Sequence, residues 1–234
     1  MIRLDKYLSE MGVGTRSEVK KYIRQGQVTI DGNVVKKPEE KVEEEIQSIC
    51  VNGKTIGYKK YEYYMLNKPQ GVVSATIDSH DKTVLELIES KKRKDLFPVG
   101  RLDKDTEGLL LITNDGEMAH RLLSPKKHVD KVYYAKVDGK VTEETVQQFA
   151  NGLEIGNEEF AKPSLLKILK SDTVSEIELT IQEGKFHQVK RMFHAVGMEV
   201  LFLKRLSMGS LVLDPNLKPG EYRLLEKEEV EKLC

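Results

Sequence analysis

The sequence predicts an α+β fold in two parts, a small amino-terminal α/β unit followed by a larger region built on a mainly antiparallel mixed sheet flanked by helices. Two observations carry that expectation. Strand-like and helix-like runs are mixed along the chain without a strict β-α-β alternation. The texture also changes at Tyr63, from short amphipathic helices and a hairpin to longer apolar strands.

Leu4, Leu8 and Met11 recur at helical spacing with Asp5 in the first turn, and Gly12 and Gly14 end that helix. Thr15 or Ser17 can cap a second helix that buries Val19 and Ile23 and stops before Gly26. QVTIDGNVV alternates about Asp31-Gly32, a β-hairpin pattern. An acidic stretch over residues 39–45, including Glu44 and Glu45, and a strand near 49–51 precede a polar linker at 57–62. Beyond it, YYMLNKPQGVVSAT reads as strand, turn and strand, and residues 83–89 as a helix. GLLLIT (108–113) reads as a buried strand ending at Asn114-Asp115-Gly116. Helices are expected at 117–123, 143–152 and 188–196, and strands at VYYAKVDG, 164–170, 175–181, 200–206 and 210–212. GEYRLLEKEEVEKL closes the chain as a strand and a short helix. The domains are placed at 1–58 and 59–234, the second as two subdomains with a cleft between them.

No apolar run approaches the roughly 18 residues of a membrane span. MIRLDKYLSE carries charge where a signal peptide has its apolar core, so a cytoplasmic protein with no membrane partner is expected. Cys50 and Cys234 sit in no metal-ligand spacing, so neither a zinc site nor a structural disulfide is expected. The formal net charge is zero, but its distribution is uneven. Residues 1–38 hold eight bases against four acids, among them Arg3, Lys6, Arg16, Lys20 and Arg24. Lys185, Lys190, Arg191, Lys204 and Arg205 form a second basic group. Phosphates respond to charge within a Debye length, not to the sum, so both groups are candidate nucleic-acid contacts.

Neither a dinucleotide fingerprint nor a phosphate loop is present. The five histidines show no ligand spacing and read as structural residues or surface RNA contacts. No cofactor or metal is expected, and ordinary side chains must do any chemistry. VGRLDKDTEGLLLITNDG places Arg101, Asp103, Asp105 and Glu107 directly before a core strand. These acids read either as a solvated turn or as an active-site carboxylate kept ionised by a neighbouring cation.

GRLDKDTEG resembles the catalytic motif of the pseudouridine synthases, in the branch with an amino-terminal S4-type RNA-binding domain. The resemblance covers nearly the whole chain. RLDKYLSEMGVGTRSEVKKYIRQGQVTIDG is similar to the S4 domain, and YYMLNKPQG, KVYYAKV and EGKFHQVKRMFHAVG are similar to further family motifs in the same order. It implies a uridine-to-pseudouridine isomerase without a cofactor. Asp103 takes the place of the catalytic aspartate, Tyr133 of the tyrosine that stacks on uracil, and Lys190 of the cation paired with the aspartate. Arg101 resembles the residue that enters the RNA stack when the target flips out, and Leu203 an apolar residue packed on the base. Lys68 and Arg205 are placed at the substrate as well. YYMLNKPQG, HRLLSPKKH and the short carboxyl terminus resemble the branch acting on small-subunit, 16S, ribosomal RNA, as a monomer on an assembly intermediate. The competing readings are a large-subunit, 23S, enzyme of the same family, a non-catalytic RNA-binding protein, and an RNA methyltransferase with the same small domain.

Overall fold

A computed structural model describes all residues except Glu44, Glu45, Ser90, Lys92, Pro125, Lys126 and Cys234. The acidic pair Glu44–Glu45, part of HRLLSPKKH and the terminal cysteine therefore lie outside the described residues. The chain divides into two compact units, Met1–Glu62 with Glu89–Leu96, and Tyr63–Ile88 with Phe97–Cys234.

In the first unit, β1 (Ile2–Arg3) leads into α1 (Leu4–Glu10), which buries Leu4, Tyr7 and Leu8 at helical spacing. Of the two candidate caps for α2 (Arg16–Arg24), Thr15 is the one used. Its hydroxyl accepts from the Glu18 amide at 3.3 Å, and the Glu18 carboxylate accepts from the Thr15 amide at 2.7 Å. The hairpin of β2 (Val28–Ile30) and β3 (Asn33–Val34) turns through Asp31 at φ 50 and Gly32 at φ 81. Two successive positive φ values are what a tight two-residue turn requires. β4 (Lys41–Val42) pairs with β1, and β5 (Ile49–Val51) pairs with β2 and with β6 (Lys54–Thr55). Leu4, Leu8, Val19, Ile23, Val28, Val42 and Ile49 close the core. Cys50, on β5, is a free thiol.

The polar linker expected at 57–62 is solvated at Gly57, Lys59, Lys60 and Tyr61 but anchored at Tyr58 and Glu62. Tyr58 stacks on Tyr7 with ring centroids 5.0 Å apart and donates to Glu10 at 3.1 Å. Glu62 is buried and accepts from the Arg93 amide at 3.2 Å. These partners lie 31 to 51 residues away along the chain, so local composition does not reveal them.

The second unit begins with β7 (Tyr63–Lys68) and β8 (Phe97–Val99), then β9 (Glu107–Thr113), α3 (Gly116–Leu123) and β10 (Lys131–Asp138). α4 (Glu143–Asn151), the short pair β11 (Leu153–Glu154) and β12 (Phe160–Ala161), β13 (Leu165–Lys170) and β14 (Val174–Ile181) follow. α5 (Gln188–Ala195), β15 (Glu199–Met208), β16 (Leu211–Val212), β17 (Tyr222–Leu224) and α6 (Lys227–Glu231) complete it. The main sheet runs β13-β14-β10-β15-β9-β7-β17, with β8 beside β9 and β16 beside β15. Among the described residues its ladders are antiparallel except where β9 meets β15, Glu107 facing Lys204 and Gly108 facing Arg205. Both faces of β9 are buried. Leu109 and Leu111 pack with Met118, Ala119 and Leu122 of α3.

Two local expectations change, and one strand was not anticipated. Residues 72–76 form no strand beyond a single bridge between Val73 and Thr83. The Ser74 hydroxyl is instead drawn to the backbone of Leu102. The helix expected at 83–89 shrinks to one 3-10 turn, Val84–Leu87, because Ile88 takes an extended ψ of 84. β8 carries Pro98, which an edge strand tolerates, and it pairs only with β9 among the described residues.

Candidate active site

The acidic loop between β8 and β9 is held from below by a buried cation. Lys68, at the end of β7, is fully buried. Its ammonium donates to the carbonyls of Pro69 at 3.1 Å, Asp103 at 2.9 Å, Lys104 at 3.4 Å and Thr106 at 2.9 Å. Burial pulls its pKa down to about 8, against the opposing fields of Asp103, Asp105 and Glu107. Ser74 clamps the other side. Its hydroxyl donates to the Leu102 carbonyl at 2.8 Å and accepts from the Leu102 amide at 3.0 Å. Gly108 ends the loop at φ +103, and a Cβ there would lie 2.2 Å from the Arg205 carbonyl. Only glycine lets β9 come this close to β15.

So fixed, the Asp103 side chain enters an open pocket lined by Arg101, Asp103, Tyr133, His187, Lys190 and Leu203 among others. Tyr133 comes from β10 and Leu203 from β15, neighbouring antiparallel strands on which Ala135 faces Leu203. Tyr133 and Ala135 share one face of β10, so the register puts the tyrosine and the leucine on the same side of the sheet. The first turn of α5 and the residue before it bring two nitrogens to the carboxylate. His187 Nε2 lies 3.6 Å from Asp103 Oδ1, and Lys190 Nζ lies 3.6 Å from Oδ2. The expected Asp103–Lys190 pair is thus a shared one. Lys190 hydrogen-bonds both oxygens of Asp105, at 2.6 and 2.8 Å. Burial works against ionisation of Asp105, but the Lys190 hydrogen bonds and charge prevail and hold it below the usual carboxylate range.

Five of the expected residues, Arg101, Asp103, Tyr133, Lys190 and Leu203, therefore meet at one pocket. Lys68 and Arg205 do not line it. Lys68 is engaged with loop carbonyls. Arg205 is 2% exposed and its Nε donates to the Leu109 carbonyl at 2.8 Å, across the β9–β15 seam. His187 and Ser74 were not singled out in the sequence as parts of the site, and Asp105 was noted only as one of three acids before the core strand. The available signal for His187 was its place next to Gln188 and Lys190 in FHQVKRM.

The chain matches the RNA pseudouridylate synthase family over residues 62–195, more than half its length, and the S4 domain over residues 2–45. It belongs to the RNA pseudouridine synthases. An uncharacterised RNA pseudouridine synthase of Bacillus subtilis is 49% identical, covering 99% of this chain and 98% of its own. The ribosomal small subunit pseudouridine synthase A of Escherichia coli K12 is 39% identical, covering 98% of each. A crystal structure of a pseudouridylate synthase superposes with a TM-score of 0.70 at 39% identity over 100% of both chains. An archaeal Nop10-Cbf5 complex shares the fold at a TM-score of 0.51 and 20% identity, over 69% of this chain and 52% of that one.

In the S4 unit of this synthase the basic residues stand around a buried acid. The Asp5 side chain is 1% exposed. It accepts from Arg3 Nε at 3.0 Å and Arg3 Nη2 at 2.9 Å, with Lys20 at 3.9 Å. The Arg3 hydrogen bonds, opposed by burial, hold Asp5 below the ordinary range. Lys6 lies 3.7 Å from Glu10, and Arg16 and Arg24 are exposed on α2. An RNA-binding surface of this kind positions phosphates and carries little sequence information.

Proposed function

We propose that this pseudouridine synthase isomerises a uridine of small-subunit, 16S, ribosomal RNA during subunit assembly, with Asp103 as its catalytic carboxylate. The substrate is favoured by full-length relatives named ribosomal small subunit pseudouridine synthase A, 39 to 42% identical to this chain. The residue role rests on one observation above others. Asp103 projects into the pocket with a nitrogen 3.6 Å from each of its oxygens, next to an aromatic and an apolar side chain on one sheet face.

The reaction breaks the bond from uracil nitrogen 1 to the sugar, turns the base, and joins carbon 5 to carbon 1′, with the carbon 5 proton lost to solvent and nitrogen 1 taking one up. Three routes are open to a carboxylate: attack at uracil carbon 6, attack at sugar carbon 1′, or removal of the proton at carbon 2′. All three use the ionised acid, and His187 (when protonated) and Lys190 favour that form. Reaching the bond requires the nucleotide to leave its stack. In this reading Arg101 occupies the gap left in the RNA, and Tyr133 and Leu203 retain the detached uracil while it turns. Arg3, Lys6, Arg16, Lys20 and Arg24 contribute phosphate contacts that hold the RNA without reading it.

Tritium release from uridine labelled at carbon 5 tests this, with 16S and 23S transcripts, free and as partly assembled particles. Wild type should release tritium from 16S RNA alone. Asp103→Asn should lose roughly 10³-fold or more, the scale expected when a nucleophile or base is removed. Release from 23S alone overturns the substrate, and an active Asp103→Asn overturns the role.

A further inference from the structure

The turn that enters α5 carries an aromatic side chain that the pocket chemistry leaves unused. Phe186 is 75% exposed. Its ring nonetheless lies nearly parallel to the imidazole of His187, with centroids 3.8 Å apart and planes 18° apart. One face of the phenyl ring is thus backed by a side chain that lines the pocket and reaches to 3.6 Å from Asp103.

This turn is braced throughout. Gln188 Oε1 accepts from the Lys185 amide at 2.9 Å while its Nε2 donates to Glu183 at 2.6 Å, closing the turn on itself. Arg191 donates to the Phe186 carbonyl at 3.3 Å, and also to the carbonyls of Ile155 at 2.9 Å and Gly156 at 2.8 Å. His187 adopts a left-handed conformation, φ 48 and ψ 33, so even the strained residue is held in place.

A single exposed apolar residue needs no explanation. A ring stacked, braced and presented at the rim of a pocket that admits a flipped base is a different case. Turning a nucleotide out of its strand strips its neighbours of a stacking partner, and an aromatic face accepts any base. The segment 185–194 also carries Lys185, Lys190 and Arg191, which pair with Glu183, Asp105 and Glu159, so the ring rather than free charge is what this turn presents.

We propose that Phe186, backed by His187, is a stacking platform for the RNA nucleobase next to the target uridine. The proposal rests on the reading of the adjoining pocket as the isomerisation site. Shape and chemistry of the ring make it tolerant of base identity, so it contributes affinity and positioning without setting sequence preference.

Full-length wild type and the variants Phe186→Ala, Phe186→Leu and Phe186→Tyr distinguish the outcomes. The probes are a short single-stranded RNA with 2-aminopurine on both sides of a uridine, read by fluorescence, and the 16S transcript, read by tritium release. Phe186→Ala and Phe186→Leu should weaken binding and raise KM by roughly 5- to 100-fold, relieve the 2-aminopurine quenching, and leave kcat unchanged. Phe186→Tyr should match wild type. Unaltered quenching and KM in Phe186→Ala overturn the platform, as does a Phe186→Leu that performs like wild type, since leucine supplies area without a flat face. A loss confined to kcat also overturns it. If Phe186→Ala is silent while Asp103→Asn is inactive, the platform alone fails. If both are silent, the pocket itself has been misassigned.

Discussion

In the S4 unit Arg16 and Arg24 stand in solvent, and Lys6 and Lys20 touch acids at 3.7 and 3.9 Å. In the catalytic unit Lys68 is sealed from solvent and donates to the loop carbonyls of Asp103 and Thr106. The first set acts by number. Each cation is one of several, screened by salt, and replaceable by its neighbour. The second acts by position. A desolvated ammonium with no water to turn to must keep its carbonyl partners, so it fixes the backbone from which Asp103 projects.

That difference can be broken at its strongest point first. Lys68→Met removes the ammonium and leaves buried carbonyls without a donor. It should cost about 3 kcal/mol in urea denaturation and lower kcat more than tenfold by releasing the loop. Retained stability and activity would show that the loop holds itself. The same residue sharpens the comparison through pH. Its pKa of about 8 in the folded protein lies below the roughly 10.4 of an unfolded lysine. The penalty for burying its charge is complete below about pH 8 and fades as pH rises toward 10.4, because only the unfolded chain still holds the proton there. Wild type should therefore gain stability relative to Lys68→Met across that window, and a gap that stays constant would place the ammonium in solvent.

A smaller loss is expected at the other end of the loop. Gly108→Ala introduces a Cβ 2.2 Å from a backbone carbonyl at a positive φ. A stability loss of at least about 2 kcal/mol should follow, with activity falling alongside as β9 and β15 part. An alanine variant with wild-type thermal stability would mean that the two strands can separate without consequence. The smallest effect belongs to the S4 unit. Arg16→Ala should raise the Kd for RNA a few-fold and lower the salt slope by about one, with kcat at saturating RNA unchanged. A change in kcat with an unaltered salt slope would contradict a role limited to phosphate contact.

How far the sequence foretold this arrangement follows from where each residue's partners lie. The hairpin at Asp31-Gly32 and the cap at Thr15 are decided by residues within four positions, and both are legible. GRLDKDTEG before an apolar run is legible too, because a cluster of acids against a buried strand is locally anomalous. Lys68 was visible only as a charge near the site, since its acceptors in the acidic loop lie 35 to 38 residues downstream. His187 reaches Asp103 only because β10, β15 and β9 are neighbours in the sheet. No spacing in the sequence encodes that. Arg205 was misplaced for the same reason, its guanidinium being taken by the Leu109 carbonyl across the strand seam.

Glu89–Leu96 follows Tyr63–Ile88 in the chain, yet it is part of the first unit. Arg93 is buried there and donates to Glu10 at 3.1 Å, to Asp95 at 2.9 and 2.6 Å, and to the Lys59 carbonyl at 3.4 Å, with its guanidinium 5.8 Å from the Tyr58 ring. The amino-terminal module is therefore discontinuous in the gene. A single recombination breakpoint after residue 62 would deliver Glu10, Tyr58 and Glu62 without the arginine that joins them. Exchange of this module between proteins must carry two separate pieces of coding sequence, or else a substitute for the buried Arg93.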